Sequence, residues 1–254
     1  MKVYTLGTSH GDSTMTRLNS CYVYEAGDKT TYCVDAGAPA EALIRRQGLK
    51  IRDISALFVT HLHDDHAGGL VGLMKQSMKY PDGRQKPIDL FLPESLAQYT
   101  LEAWMATLHL PIRADAIRFH VTGEGLCYED GNVRVSAIRT RHLLRDGHPV
   151  SFAYVLHFKK ENVKILHTGD LRADFSDFPA VALEEPFDLC LCEATHYRPE
   201  SAAPILRRAK FSRLIFVHVW DEWADDAGEA RFLSHFSGTQ YPMQFAHDGD
   251  VFTL

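Results

Sequence analysis

The stretch THLHDDHAGG, residues 60–69, concentrates side chains that bind metal ions. His61 and His63 lie two residues apart at the end of ISALFVT, an apolar run typical of a buried strand. Residues at i and i+2 of a strand share a face, so both imidazoles can converge on one point. Asp65 and His66 follow where the chain turns towards a helix, whereas Asp64 reads as a solvent-facing spacer. Imidazole and carboxylate groups are zinc ligands, and the stretch therefore predicts a metal site.

Four ligands from one loop cannot complete two metal sites, so others must come from elsewhere in the chain. Three later strand-like segments each carry one candidate. VRVSAIRTRH ends in His142, VKILHTGD ends in Asp170, and RLIFVHVW carries His218 near its end. Gly169, directly before Asp170, permits a tight approach of the chain. Catalytic side chains that project from successive strand ends are the expected layout in α/β enzymes.

The elements that must position these residues are strands with helices interspersed. The segments KVYTLGT, CYVYEAG and TTYCVDAG predict a β-meander, with a turn at Gly27-Asp28. Proline, glycine and apolar spacing predict helices over residues 39–48, 68–79, 94–109 and 199–209. Further strands are predicted at IDLFLP, NVRVSAIRT, VSFAYVLHF, VKILHTGD, FDLCLCEAT and RLIFVHV. The pattern is typical of an α/β fold. Because no linker divides the sequence, we expect a single domain over residues 1–254.

Net charge and cysteine content limit the functions that the protein can have. The formal net charge of −6 gives no general electrostatic reason to bind nucleic acid or an anionic membrane. No apolar run has the length of a signal peptide core or a membrane span. Cys190 and Cys192 alternate in a predicted strand without a second pair at zinc spacing, which favours buried, reduced thiols. We therefore expect a cytoplasmic protein.

The order of the candidate ligands resembles the metallo-β-lactamase superfamily. It runs His61-x-His63-x-Asp65-His66, a later histidine, the aspartate of Thr168-Gly169-Asp170, and a late histidine. The resemblance covers nearly the whole chain, including Asp35 in CVDAG and the terminal AHDGDVFTL. It implies an αββα four-layer sandwich with two divalent metal ions, zinc first and manganese or iron as alternatives. The implied ligands are His61, His63 and His142 for one metal, and Asp65, His66 and His218 for the other, with Asp170 bridging and Asp35 orienting a ligand.

The third histidine ligand and the role of His196 each leave an alternative open. His142 is favoured as the third histidine ligand because it ends its predicted strand, whereas His148 is placed in the loop RDGHP, within reach of substrate. His196 follows Glu193-Ala194-Thr195, which resembles the phosphodiesterase branch of the superfamily that includes ribonuclease Z. That resemblance implies that His196 protonates a leaving group. A surface histidine is the alternative.

The resemblance implies a hydrolase in which a metal-bridging hydroxide attacks the substrate, oriented by Asp65 or Asp170. Three arginines in RTRHLLRDGH (Arg139, Arg141 and Arg145) favour phosphate, so we expect a phosphodiesterase that acts on a small phosphodiester or cyclic nucleotide. Trp220 and Trp223 are read either as a stacking wall for a base or as core. A lactonase or thioesterase is the alternative enzyme, and a non-catalytic metal-binding sensor is the alternative of another class. We expect a small-molecule substrate, no stable nucleic-acid partner and no membrane contact, and the sequence leaves a homodimer open.

Overall fold

The computed structural model describes residues 1–79 and 86–254. It divides into two compact units, one formed by residues 1–123 with 247–254 and the other by residues 124–246. Each unit contains one mixed β-sheet together with helices, as the predicted α/β class requires. The single domain expected over residues 1–254 stays a prediction.

The strands in the described part of the chain are β1 (Lys2–Gly7), β2 (Cys21–Glu25), β3 (Thr31–Ala36), β4 (Ile54–Phe58), β5 (Ile88–Leu92), β6 (Ile117–Val121), β7 (Gly125–Glu129), β8 (Val133–Arg145), β9 (His148–Phe158), β10 (Val163–His167), β11 (Leu189–Ala194), β12 (Leu214–Val219), β13 (Met243–Phe245) and β14 (Asp250–Thr253). The α-helices there are α1 (Ala40–Arg46), α2 (Asp64–Ala67), α3 (Leu70–Lys79), α4 (Ser95–Thr107), α5 (Val181–Glu184), α6 (Pro199–Leu206) and α7 (Asp226–Ser234). Short 3-10 turns lie at Ile51–Asp53 and Asp221–Trp223. None of the helices described is long and apolar enough to cross a membrane.

The sheet of the first unit has the strand order β14-β1-β2-β3-β4-β5-β6. Pairing is antiparallel from β14 to β3, which confirms the predicted meander, and parallel from β3 to β6. Strands β2, β3 and β5 are buried along their whole length, as expected for apolar strands covered on both faces. The predicted ligands of this unit follow the carboxyl end of β4, and Asp35 lies at the end of β3.

The sheet of the second unit has the strand order β13-β12-β11-β10-β9-β8-β7. Its strands are antiparallel from β7 to β10 and parallel from β10 to β13, so both units follow the same sequence of pairings. The parallel strands β10, β11 and β12 carry Asp170, His196 and His218 at or just beyond their carboxyl ends, whereas His142 lies in β8.

Each unit has an apolar core of its own. Leu57, Met74 and Leu90 are buried in the core of the first unit. Phe216, Phe232 and further aromatic rings pack in the core of the second unit, with Phe216 and Phe232 ring centroids 4.8 Å apart. These cores fix the strands whose ends carry the candidate ligands.

The β8–β9 hairpin differs from the sequence prediction. The loop placement of His148 was wrong, because β9 begins at His148, which pairs with Arg145 of β8. His142 consequently lies inside β8 and not at its end. The turn is Asp146-Gly147, with φ of 50° and 80°, the conformation that two-residue hairpins require. Aspartate-glycine is a strong hairpin signal, so this turn could have been read from the sequence.

The predicted helix over residues 68–79 also differs at its start. Helix α2 begins at Asp64, after extended His63 (φ −64°, ψ 149°), and α3 follows it. Asp65 and His66 therefore lie on a helical turn, which fixes the direction of their side chains.

Candidate metal centre

The histidine-rich stretch places four side chains close together in the first unit. His61, Asp65 and His66 are buried, His63 is exposed, and Asp64 is exposed as the sequence predicts. His61 Nε2 lies 2.9 Å from His63 Nδ1, and the rings of His61 and His66 are 4.1 Å apart between centroids. Imidazole nitrogens of neighbouring residues thus converge as metal ligands do.

Asp35 holds His66 in a defined orientation. It lies at the end of β3 in the left-handed region, with φ of 59°. Its Oδ2 accepts a hydrogen bond from His66 Nδ1 at 2.7 Å, and its Oδ1 accepts one from the Thr60 backbone N at 2.7 Å. Burial raises the pKa of Asp35, whereas the contacts with His66 and Thr60 lower it. A carboxylate behind a histidine fixes the tautomer and raises the basicity of the other nitrogen.

That orientation produces a contact that suits a cation. When the His66 proton is on Nδ1, Nε2 carries a lone pair, and it lies 3.3 Å from Asp65 Oδ2. Both atoms are then electron donors facing each other inside the protein. A metal ion bound by both would stabilise this arrangement, so the donor chemistry of the first unit fits a divalent metal.

Gly37 makes room for Asp65. A Cβ atom at Gly37 would lie 2.0 Å from the Asp65 carbonyl oxygen and 2.6 Å from Asn19 Cβ. Both distances are shorter than any van der Waals contact allows, and the nearest atom is backbone. The glycine after β3 is therefore required for α2 to approach the sheet.

The second unit brings three histidines around one carboxylate. Asp170 Oδ2 lies 3.6 Å from His142 Nε2, 3.4 Å from His218 Nε2 and 3.7 Å from His196 Nδ1. Two ligand atoms bound tetrahedrally to zinc at about 2.0–2.1 Å lie about 3.4 Å apart. The separations of His142 and His218 from Asp170 therefore fit metal ligands, and ligand atoms of Asp170, His196 and His218 all lie within 4.8 Å of one another.

Unusual backbone conformations place these ligands. His218 adopts φ of 50° inside β12, and Gly169 adopts φ of 56° directly before Asp170. Few residues other than glycine adopt this region, and such conformations concentrate at functional sites. The Thr195 hydroxyl also donates a hydrogen bond to the His218 carbonyl, which holds β12 beside the end of β11.

Glu193 is a contributor whose role the sequence did not reveal. Its Oε2 accepts hydrogen bonds from His196 N at 2.9 Å and His196 Nδ1 at 3.0 Å, and its Oε1 accepts one from Leu171 N at 2.7 Å. The Glu193 side chain is 1% exposed, so these donors replace the water that it loses. A glutamate within a buried strand is the signal that could have identified it.

The structure also places His148, Arg139 and the two tryptophans that the sequence singled out. His148 is exposed at the hairpin tip. Arg139 donates to the Pro149 carbonyl and covers the ring of Phe152 at 5.0 Å, so it contributes to the hairpin, and its role towards phosphate stays a prediction. Trp223 is core, at 6% exposed, whereas Trp220 is 44% exposed.

The cysteines agree with the thiol prediction. All five are free, and Cys190 and Cys192 are buried in β11. Burial raises the pKa of the Cys190 thiol well above its ordinary value. This keeps it protonated and a poor metal ligand at neutral pH.

Comparison with solved structures shows the fold. Human tRNase Z, short form, is 23% identical with a TM-score of 0.75, and the match covers 100% of this chain and 99% of that one. The metallo-β-lactamase fold protein YhfI from Bacillus subtilis is 14% identical with a TM-score of 0.78, covering 99% of this chain and 98% of that one. The predicted metallo-β-lactamase fold is confirmed.

Sequence relatives include ribonuclease Z proteins. That of Crocosphaera subtropica is 32% identical over 143 residues, 56% of this chain and 45% of the relative. That of Trichodesmium erythraeum is 30% identical over 176 residues, 65% of this chain and 51% of the relative. The chain therefore matches about half the length of these relatives. A family model described as Anti-Pycsar protein Apyc1 matches residues 1–201. The chain belongs to this Apyc1 family, within the metallo-β-lactamase superfamily and close to ribonuclease Z.

Proposed function

We propose that this protein is a metal-dependent hydrolase that cleaves a phosphodiester bond in a small substrate such as a cyclic nucleotide. The observation that carries the proposal is the cluster around Asp170. One carboxylate oxygen lies 3.4 Å and 3.6 Å from the Nε2 atoms of two histidines, at the spacing of metal ligands. A third histidine, His196, lies beside the same oxygen, and Glu193 holds its Nδ1 atom. We assign His196 a role other than metal binding.

The proposed metal ligands follow the motif order. His61, His63, Asp65 and His66 of the first unit, and His142, Asp170 and His218 of the second, would hold the divalent metal ions. Bound divalent ions lower the pKa of a coordinated water and so supply a nucleophile at neutral pH. Zinc suits a set dominated by imidazole, with manganese or iron as alternatives.

Side chains of this protein orient the metal ligands and the nucleophile, and protonate the leaving group. Asp35 keeps the proton of His66 on Nδ1, so that Nε2 remains available as a donor. The carboxylates of Asp65 and Asp170 orient the nucleophile. Glu193 holds His196 through Nδ1, which sets His196 to give a proton to the departing oxygen.

Ribonuclease Z relatives at 30–32% identity support a phosphodiester substrate. Arg141 and Arg145 are exposed near His142 in sequence and suit phosphate oxygens. The formal net charge of −6 favours a small substrate over an RNA duplex, because RNA binding needs many cationic contacts. RNA is nevertheless the second candidate, because of the relatives.

The test is a substrate panel with the metal-replete full-length protein. We expect turnover of bis(p-nitrophenyl) phosphate and of cyclic nucleotides, and none of lactones, thioesters or structured RNA. Asp170→Asn should abolish turnover, whereas Asp174→Asn, which removes an exposed carboxylate four residues away, should not. Turnover of lactones or thioesters alone would refute the phosphodiesterase proposal. A protein that binds metal but hydrolyses nothing would support a sensor.

The role of His196 is tested by the leaving group. Proton donation matters little for p-nitrophenolate, a good leaving group, and much for the alkoxide that leaves a cyclic nucleotide. General acid catalysis contributes roughly 10²–10⁴-fold, so His196→Gln should slow cyclic nucleotide hydrolysis by about this factor and spare the aryl ester. Equal losses with both substrates would contradict proton donation.

A further inference from the structure

Two proposed metal ligands of the second unit, His142 and Asp170, lie outside regular strand pairing. The β8–β9 ladder is interrupted between Thr140 and Leu144, and His142 lies within the interruption. Asp170 lies beyond the end of β10, after Gly169 in the left-handed region. The separation of two such ligands must therefore be set by contacts from side chains.

A single carboxylate contacts both segments. Asp177 Oδ2 accepts a hydrogen bond from the backbone N of Arg141, the residue before His142, at 2.6 Å. Asp177 Oδ1 accepts one from the backbone N of Arg172, two residues after Asp170, at 2.9 Å. One side chain thus bridges the two ligand-bearing segments, with one oxygen for each.

Asp177 is itself held firmly. Its neighbours Phe175 and Phe178 are buried, and their rings stack with centroids 4.8 Å apart and an interplanar angle of 16°. Phe175 also meets the ring of Tyr197 edge-on at 4.5 Å, and its backbone N donates to the Arg172 carbonyl at 2.9 Å. A carboxylate between two core anchors can hold other segments in place, because it moves little itself.

We propose that Asp177 is a positioning residue that holds His142 and Asp170 at the separation a metal ion requires. The proposal rests on the proposed metal-dependent function. It needs both carboxylate oxygens, since each accepts a different amide. Asparagine has one acceptor oxygen, and its NH₂ group would face one of the two backbone N–H donors. Asp177→Asn therefore breaks one contact in a side chain of nearly unchanged size.

The test measures metal affinity in metal-depleted, full-length protein, with Zn²⁺ titrated in competition with a chromophoric chelator. Residues that orient metal ligands typically contribute 10–100-fold to affinity, so Asp177→Asn should weaken Zn²⁺ binding by about that factor. Asp174→Asn is the matched control, since it removes a carboxylate of the same loop that contacts Ser176 and the Arg172 side chain and, in the part of the chain that the structure describes, has no polar contact with the His142 segment. It should leave Zn²⁺ affinity within about twofold.

The thermal midpoint of the metal-free variants separates positioning from general stability. We expect Asp177→Asn to match Asp174→Asn in the metal-free state and to lose affinity only for Zn²⁺. Asp177→Glu, which keeps charge and both oxygens, should bind Zn²⁺ more tightly than Asp177→Asn. Wild-type Zn²⁺ affinity in Asp177→Asn overturns the inference, whatever its thermal midpoint. A wild-type protein that binds no Zn²⁺ would instead overturn the proposed function.

Discussion

Replacing Asp35 by asparagine changes the metal centre through a single histidine proton. The carboxylate accepts hydrogen bonds from the Thr60 backbone N and from His66 Nδ1, both at 2.7 Å. Asparagine has one acceptor oxygen. The backbone amide of Thr60 cannot change its donor role, but His66 can move its proton to Nε2. We expect Asp35→Asn to take that course, which leaves an N–H bond where the metal ion needs a lone pair.

The magnitude follows from the hydrogen bonds. Metal binding to Asp35→Asn must return the proton to Nδ1, where it faces an NH₂ group and has only a long contact of 3.4 Å with the Thr60 hydroxyl oxygen. A buried donor without an acceptor costs about 1–3 kcal/mol. Since 1.4 kcal/mol corresponds to a factor of ten, metal affinity should fall roughly 10–100-fold.

Stability of the metal-free protein should respond differently. Burial raises the pKa of Asp35 in the folded protein above its value in the unfolded chain. The protonated carboxyl group therefore favours the folded state fully at a pH below the unfolded pKa, and this stabilisation is lost as the pH rises through the folded pKa. Removing the ionisable group therefore relieves a cost at neutral pH, which offsets part of the lost hydrogen bonding.

The assay is Zn²⁺ titration by calorimetry with wild type and Asp35→Asn, with urea unfolding of the metal-free forms alongside. Thr60→Val is the matched control, because it removes the Thr60 hydroxyl contacts to Asp35 and keeps the backbone N–H. Its loss of affinity should be the smaller of the two. Wild-type Zn²⁺ affinity in a folded Asp35→Asn protein would refute the tautomer reasoning.

Three further changes test the packing and the titration of buried groups. Gly37→Ala places a Cβ atom 2.0 Å from the Asp65 carbonyl oxygen, and the resulting displacement of about 1 Å should lower hydrolysis roughly 100-fold; unchanged turnover would contradict the fit. Phe216→Ala removes a ring that is 0% exposed and should destabilise the fold by about 3–5 kcal/mol in urea unfolding, so a loss below about 1 kcal/mol would be inconsistent with the core. Burial raises the pKa of the Cys33 thiol to about 12, so a disulfide reagent at pH 8 should modify Cys33 only after unfolding, and rapid modification of the native protein would count against this.

Local patterns predicted much of the fold. The meander, the buried strands β4, β5 and β10 to β12, and the helices α1, α3, α4 and α6 follow from apolar periodicity and from proline and glycine positions. The hairpin at Asp146-Gly147 was misread although its signal is strong. Short elements such as β13 and α5 were missed, because three or four residues carry too little periodicity to be recognised.

In the candidate site, too, some residues could be identified from the sequence and others could not. The residues proposed as metal ligands could be chosen from the sequence alone, because most of these histidines and aspartates lie at or just beyond strand ends. Residues that hold them could not. The roles of Glu193 and Asp177 depend on backbone amides 22 and 36 positions away in the chain, and no local pattern encodes such contacts. Their identification required the folded chain.

The most direct test of the central claim is metal-dependent hydrolysis of a cyclic nucleotide by chelator-stripped protein during Zn²⁺ titration. We expect no turnover without metal, and activity that rises to a plateau at two equivalents of Zn²⁺ per chain. Hydrolysis that persists in the stripped protein, or full Zn²⁺ loading without any phosphodiester turnover, would contradict a metal-dependent phosphodiesterase.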